Sequence, residues 1–212
     1  MFTAIFDLDG TLTKKDTYVP FLLLCIKEFG LRRFSVIFLP LYVLLYKCGI
    51  ITNARLKEVF LSKILSGIPI EQLDPVVEKF VSYIINKGLN LTAIQILNAH
   101  LGEKNRVILA TASFDFYTQR LAERIGIGQI VCTRSEVKNG ILTGRILGSN
   151  CHGQEKVRRI EDLLNASDWG ASVFYTDHYS DLPLLKKVGK GFIVNPGLKT
   201  RLLLRKFKFD RI

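Results

Sequence analysis

The chain is short of several things, and each shortage narrows what it can be. It has only 4 cysteines in 212 residues. Cys25, Cys48, Cys132 and Cys151 stand far apart, with no C-x-x-C and no Cys/His cluster. That argues against a zinc finger or a small disulfide scaffold and fits a reducing compartment. The opening Met1-Phe2-Thr3-Ala4-Ile5-Phe6 meets Asp7 without any basic stretch, so it does not read as a signal peptide and secretion is not expected. There is no internal repeat and no low-complexity tract. Acidic residues are also scarce, 19 against 30 Lys plus Arg, for a net charge of +11 and a pI near 9.6. Such a balance suits an anionic partner: nucleic acid, a phosphorylated compound or an anionic membrane. Nucleic acid is not expected, because no reader motif is present and the aromatics lie within apolar runs.

Hydrophobic residues make up 48% of the chain and charged residues 23%, enough for a packed core in one large domain or one domain with an insertion. Mean hydropathy is +0.22, and the excess is local. Four short apolar runs end in polar tips: Thr3 to Phe6 before Asp7, Arg106 to Ala110 before Thr111, Ser172 to Thr176 before Asp177, and Gly191 to Val194 before Asn195. Helical stretches such as Tyr117 to Ile125, closed by Gly126, and Gln154 to Leu164 lie between them. Strands alternating with helices predict an α/β fold, a Rossmann-like parallel sheet with helices on both faces. Ligands bind such sheets at the carboxyl ends of the strands, where all four polar tips fall.

Two insertions break the rhythm. Val131 to Arg145 reads as a small β-hairpin turning at Asn139-Gly140. Residues 14–90 read as an all-helical cap inserted after the first strand, leaving residues 1–13 and 91–212 as the core. The cap's second half has ordinary amphipathic spacing, with Leu56, Val59 and Phe60, then Val76, Val77, Phe80, Val81 and Ile84. Its first half is apolar from Val19 to Ile26 apart from Pro20, and from Phe34 to Tyr46 apart from Ser35 and Pro40. The 13 residues of Phe34 to Tyr46 fall short of the about 20 that a span needs. Arg32 and Arg33 before the run and Lys47 after it would suit anionic headgroups. Two readings stay open: a membrane-interfacial segment, or two runs that pack together as cap core. The tail from Lys186 onward is again basic, with Leu198 to Arg205 as a helix.

The polar tips carry the chemistry. In Asp7-Leu8-Asp9-Gly10-Thr11, one aspartate can attack phosphorus while the other donates a proton to the leaving group and later activates water. Gly10 permits the tight turn, and Thr11 can cap the segment after it. Thr111, with the N–H groups of Ala112 and the next residue, can bind a phosphoryl group; the plainer reading is a helix N-cap. Lys156 can neutralise nucleophile and phosphoryl group; the plainer reading is a solvated surface charge. Asp177 and Asp181, with Asp7, can hold Mg²⁺; the plainer reading is a helix-start pair. His100, His152 and His178 read as structural, with His178 at the mouth.

The order D-x-D-G-T, apolar strand plus Thr, Lys, then D-x-x-x-D resembles the haloacid dehalogenase-like superfamily. Leu109-Ala110-Thr111-Ala112-Ser113 and Cys151-His152-Gly153-Gln154-Glu155-Lys156 look like its phosphoserine phosphatase-like branch, subfamily IB. The resemblance implies Asp7 as nucleophile forming an aspartyl-phosphate, Asp9 as acid/base, and Thr111 and Lys156 as phosphoryl ligands. It implies a Mg²⁺ site of Asp7, the Asp9 carbonyl and Asp177, supported by Asp181. Two departures stand out: Ala112-Ser113 replaces the glycines usual after the hydroxyl residue, and Asp16 only approximately matches the cap acid that meets a substrate amine. The apolar cap looks more like members named phosphatidylglycerophosphatase C. The expectation is therefore a Mg²⁺-dependent phosphomonoester hydrolase on a membrane phospholipid such as phosphatidylglycerophosphate, peripheral on the inner face of the cytoplasmic membrane. The alternatives are a soluble phosphatase acting on phosphoserine or histidinol phosphate, and a non-catalytic phosphate- or membrane-binding module. Oligomeric state is not legible.

Overall fold

A computed structural model describes residues 2–30, 38–207 and 209–212. Arg32, Arg33 and residues 34–37 of the apolar run therefore lie outside the described residues, as does Lys208. Among the described residues the strands are β1 (Thr3–Phe6), β2 (Arg106–Phe114), β3 (Gln129–Lys138), β4 (Ile141–Leu147), β5 (Ser172–Thr176), β6 (Lys190–Ile193) and β7 (Asp210–Arg211), in the order β4-β3-β2-β1-β5-β6-β7. All neighbours run parallel except β3 and β4. This is the expected α/β sheet, with the D-x-D strand at its centre. Side chains of β1 alternate between two cores: Ala4 and Phe6 join one, Ile5 the other. A strand buried on both faces reads as one unbroken apolar run.

The helices between β1 and β2 are α1 (Tyr18–Phe29), α2 (Leu39–Lys47), α3 (Asn53–Ile64), α4 (Ile70–Tyr83) and α5 (Leu91–Gly102), with a wide turn over Ile84–Gly88 after α4. Later come α6 (Asp115–Arg124), α7 (Gln154–Glu161), α8 (Leu182–Leu185) and α9 (Leu198–Leu203). Thr13 and Leu89 form an antiparallel bridge, and Asn90 N–H donates to the Leu12 carbonyl at 2.9 Å. The chain between them leaves the sheet and returns through one two-stranded neck.

The Asn139-Gly140 turn forms as expected, with φ of 50° and 76°, both in the left-handed region that the tightest hairpins require. The hairpin has a task the sequence did not reveal. Leu142 N–H donates to the Ile68 carbonyl, Gly67 N–H to the Leu142 carbonyl and Ile70 N–H to the Gly140 carbonyl, pinning the α3–α4 connection. Gly144 has φ +83° and lies so close to Ser62 that an added Cβ would overlap its backbone.

Two expectations need correction. The second strand does not stop at Ala110 but continues to Phe114, with a register shift against β3 between those residues. Thr111 is thus inside a strand and caps no helix; α6 begins at Asp115. Helix α7 ends at Glu161, three residues early, because the chain turns toward the Ala166–Asp168 turn. All four cysteines are unpaired thiols, Cys48 exposed and the others buried.

Candidate active site

The carboxyl ends of β1, β2 and β5 and the start of α7 open on one cleft of about 810 Å³, roofed by α1, α2 and α3. Asp7 leaves β1 extended, and Gly10 turns the chain at φ +77°. A side chain at position 10 would overlap the Asp177 carboxylate, so glycine is what allows the tips of β1 and β5 to approach.

Lys156, from the first turn of α7, is buried. Its ammonium donates to Asp7 Oδ1 and to Asp181, each at 2.9 Å. The Thr176 hydroxyl donates to Asp181 at 2.7 Å. The surface-charge reading of Lys156 is overturned, and Asp181 is found holding the lysine. Burial opposes the charge on Lys156, but Asp181 and Asp7 outweigh it and raise the ammonium above the usual lysine range. Burial also pushes the Asp7 carboxyl well up; Lys156 opposes this, while Asp181, Asp177 and Asp9 add to it. Asp177 is raised to about 7, by burial first and then by Asp181 and Asp9.

Asp9 is held by Thr17, which the sequence did not single out, and by Ser113, which stood out only as a departure. Oδ1 accepts from Thr17 N–H and the Thr17 hydroxyl, both at 2.6 Å, and Oδ2 from the Ser113 hydroxyl at 2.6 Å. The Thr17 hydroxyl in turn meets Tyr117 Oη at 3.0 Å. Ser113, read as a departure from the usual glycine, thus fixes an aspartate that glycine could not touch. Ala112 and Ser113 line the cleft; Thr111 is buried beneath them, its hydroxyl accepting Ser113 N–H at 3.0 Å. Asp16 lines the cleft and caps α1 by accepting Val19 N–H at 3.0 Å. Burial and then Asp9 raise its carboxyl. Thr11 caps nothing, since its buried hydroxyl has no hydrogen-bond partner among the described residues. His152 and His178 line the cleft, while His100 lies away from it against Tyr175.

The donor set fits a hard divalent cation. Asp7, Asp9, Asp177 and Asp181 crowd negative charge around the Lys156 ammonium, and the neighbouring carboxylates add repulsion, which a cation would relieve, to the rise that burial imposes on Asp7 and Asp177. Among the described residues no three His, Cys, Asp or Glu side chains converge as a metal cluster. Two carboxylates, Asp7 and Asp177, with a backbone carbonyl and water would make an oxygen donor set of the kind such a cation takes.

The model of haloacid dehalogenase-like hydrolases matches residues 4–186. The chain belongs to this family. It is 32% identical over 116 residues to phosphoserine phosphatase SerB1 of Mycobacterium tuberculosis, covering 52% of this chain and 37% of that one. A Bordetella pertussis protein of unknown function superposes with a TM-score of 0.85 at 26% identity, covering 99% of this chain and 97% of that one. A phosphoserine phosphatase solved as a phospho-aspartyl intermediate analogue shares the fold, with a TM-score of 0.62 at 20% identity, covering 99% and 91%. The chain spans half or less of the length of the first curated relatives it matches.

Proposed function

We propose that this family member is a phosphomonoester phosphatase working through an aspartyl-phosphate on Asp7, with residues 14–90 as its cap. The observation that carries the reading is the buried Lys156, bonded to Asp7 and Asp181, in one cleft with an Asp9 fixed by Thr17 and Ser113. Asp7 Oδ1 is bound to Lys156, which leaves Oδ2 to attack phosphorus. As the phosphorus–oxygen bond to the alcohol breaks, Asp9 gives the departing oxygen a proton. Asp9 then takes a proton from water, whose oxygen attacks the aspartyl-phosphate, releasing phosphate and restoring Asp7. Lys156 and the Ala112 N–H offset charge on the transferring group. Asp7, Asp177 and the Asp9 carbonyl would hold Mg²⁺, which when bound supplies further charge neutralisation at the phosphoryl oxygens.

The substrate proposed is a phospholipid phosphomonoester, met at an anionic bilayer surface. Support comes from the mouth of the cleft, where Val19, Val43 and Tyr46 join Lys14, Lys15 and Lys47 in the lining. Beside them Leu41, Leu44 and Ile50 are left in solvent, Leu44 at 56% and Ile50 at 68% exposure. Gly197, just before α9, is also in the lining, and α9 exposes Leu198 and Leu202. Apolar side chains among lysines are what an interfacial surface presents. Among the described residues no helix is long and apolar enough to cross a membrane, so contact would be peripheral. A soluble ester is the second reading, favoured by Asp16 in the lining, a carboxylate that an amine could meet.

Phosphate release with Mg²⁺ from lipid and soluble phosphomonoesters, with Asp7→Asn in parallel, tests the proposal. Asp7-dependent turnover of a lipid ester supports it, and turnover of soluble esters alone selects the second reading. No Asp7-dependent turnover of any ester points to a non-catalytic module.

A further inference from the structure

Helix α3 carries a lysine where its inward row calls for an apolar residue. Asn53, Lys57, Phe60 and Ile64 are spaced to share one helix face, and Phe60 and Ile64 are buried core. The half-buried Lys57 lines the cleft. Its ammonium donates to the Ala112 carbonyl at 2.5 Å and to Asn150 Oδ1 at 3.2 Å, and lies 5.8 Å from the ring centroids of Tyr18 and Phe114. Asn150 is itself fixed, accepting from the Thr133 hydroxyl at 2.9 Å and donating to Asn53 Oδ1 at 3.0 Å.

An ammonium has three donors, and these two bonds go to neutral oxygens. Among the described residues no carboxylate lies within ion-pair distance of Lys57. The nearby carboxylates are occupied elsewhere, Asp9 by Thr17 and Ser113 and Asp16 by the first turn of α1. Burial lowers the Lys57 ammonium to about 8, against the opposing pull of Asp9 and Asp16; Cys151 also raises it and Lys156 lowers it. A cation bonded only to neutral oxygens, inside a cleft built to admit an anion, is charge without its counterpart. Lys156 is already matched by Asp7 and Asp181; Lys57 is not.

We infer that Lys57 is a specificity residue of this cleft: it receives a second anionic group of the substrate, carried a few bonds from the phosphoryl group bound at Asp7 and Lys156. The inference rests on the phosphomonoesterase reading and narrows it to substrates with two separate anionic groups. A phosphodiester, as in a phospholipid headgroup, and a carboxylate, as in a phosphorylated amino acid, share the chemistry that Lys57 would recognise.

The test compares kcat/KM for three phosphomonoesters in mixed micelles, for wild type, Lys57→Met and Lys57→Arg. Phosphatidylglycerophosphate adds a phosphodiester, phosphoserine adds a carboxylate, and phosphatidate adds no second anion. Loss of one charge-assisted hydrogen bond in Lys57→Met is expected to cut the preference for a doubly anionic ester over phosphatidate by about 10- to 100-fold, mainly through KM. Lys57→Arg keeps most of that preference. A loss confined to phosphatidylglycerophosphate assigns the subsite to a lipid headgroup, and one confined to phosphoserine to a soluble amino acid ester. An equal fall on all three esters, or none, overturns the inference, because a lysine that only ties α3 to the β2 tip cannot distinguish them. If wild type turns over none of the three, the phosphatase reading fails by itself. Equilibrium binding of the same compounds to wild type and Lys57→Met then decides: weaker binding of a doubly anionic compound alone supports Lys57, and uniform or absent change overturns it.

Discussion

Helices α4 and α2 are both rich in apolar residues, and the protein uses them in opposite ways. In α4, Leu73, Val76, Val77, Phe80 and Val81 are buried, with Phe80 packed against Phe21 and Tyr117, and the approach to the helix is tied to the β3–β4 hairpin by backbone hydrogen bonds. In α2 only Leu39 is buried; Tyr42 and Val43 are partly covered, and Leu41 and Leu44 face solvent. What separates them is periodicity. An apolar stripe on a polar helix has one face to hide, whereas a helix apolar all round cannot be covered by a single neighbour. Hydrophobic content therefore locates the core in one helix and a surface for the bilayer, as proposed, in the other.

Substitutions in and beside the two helices test the contrast. The largest expected effect is Phe80→Ala in α4, which removes a ring 2% exposed and should cost about 3–5 kcal/mol of unfolding free energy, read by urea denaturation. Gly144→Ala comes next. It combines a left-handed φ with overlap on Ser62, and should cost about 2 kcal/mol or more in the same assay. Leu44→Ser in α2 should change stability by no more than about 0.5 kcal/mol while weakening sedimentation with anionic vesicles. A stability loss as large as that of Phe80→Ala would show that α2 is core after all.

A smaller, pH-dependent effect is expected at Lys57 in α3, the helix that follows α2. Lys57, with its ammonium lowered to about 8, binds a proton less readily folded than unfolded. The unfolded chain therefore holds more protons between about 8 and the ordinary lysine value of about 10.4. Unfolding free energy should rise with pH across that window, and the burden of the buried charge is fully present below about 8. In Lys57→Met the rise should be reduced, as measured by denaturation at pH 7.5 and pH 10. An identical pH slope in both proteins would refute the shift.

Much of the fold was legible before any coordinates. Thr3 to Phe6 and Ser172 to Thr176 are strands with the expected ends, because a doubly buried strand is an apolar run bounded by polar tips. The gathering of Asp7, Asp9, Lys156, Asp177 and Asp181 around one cleft was legible for the same reason. The β2 extension was not, since Thr111-Ala112-Ser113 has turn-like composition and its strand pairing depends on β3. Thr17 escaped notice, and Ser113 was read only as a departure from glycine, because nothing local to a hydroxyl says which carboxylate it will meet across the fold. Lys57 left a trace that was missed, a lysine in the inward row with Phe60 and Ile64.

The bridge between Thr13 and Leu89 has a consequence for how such a molecule can diversify. At the tip of β1, everything between those residues enters and leaves as two chain ends held side by side, tied further on to Asp9 through Thr17 and to the β3–β4 hairpin through Gly67, Ile68 and Ile70. A replacement of different length or make-up grafted there would keep the chain's entry and exit but would have to supply again the hold that Thr17 has on Asp9, so what the cleft admits and how Asp9 is held cannot change independently.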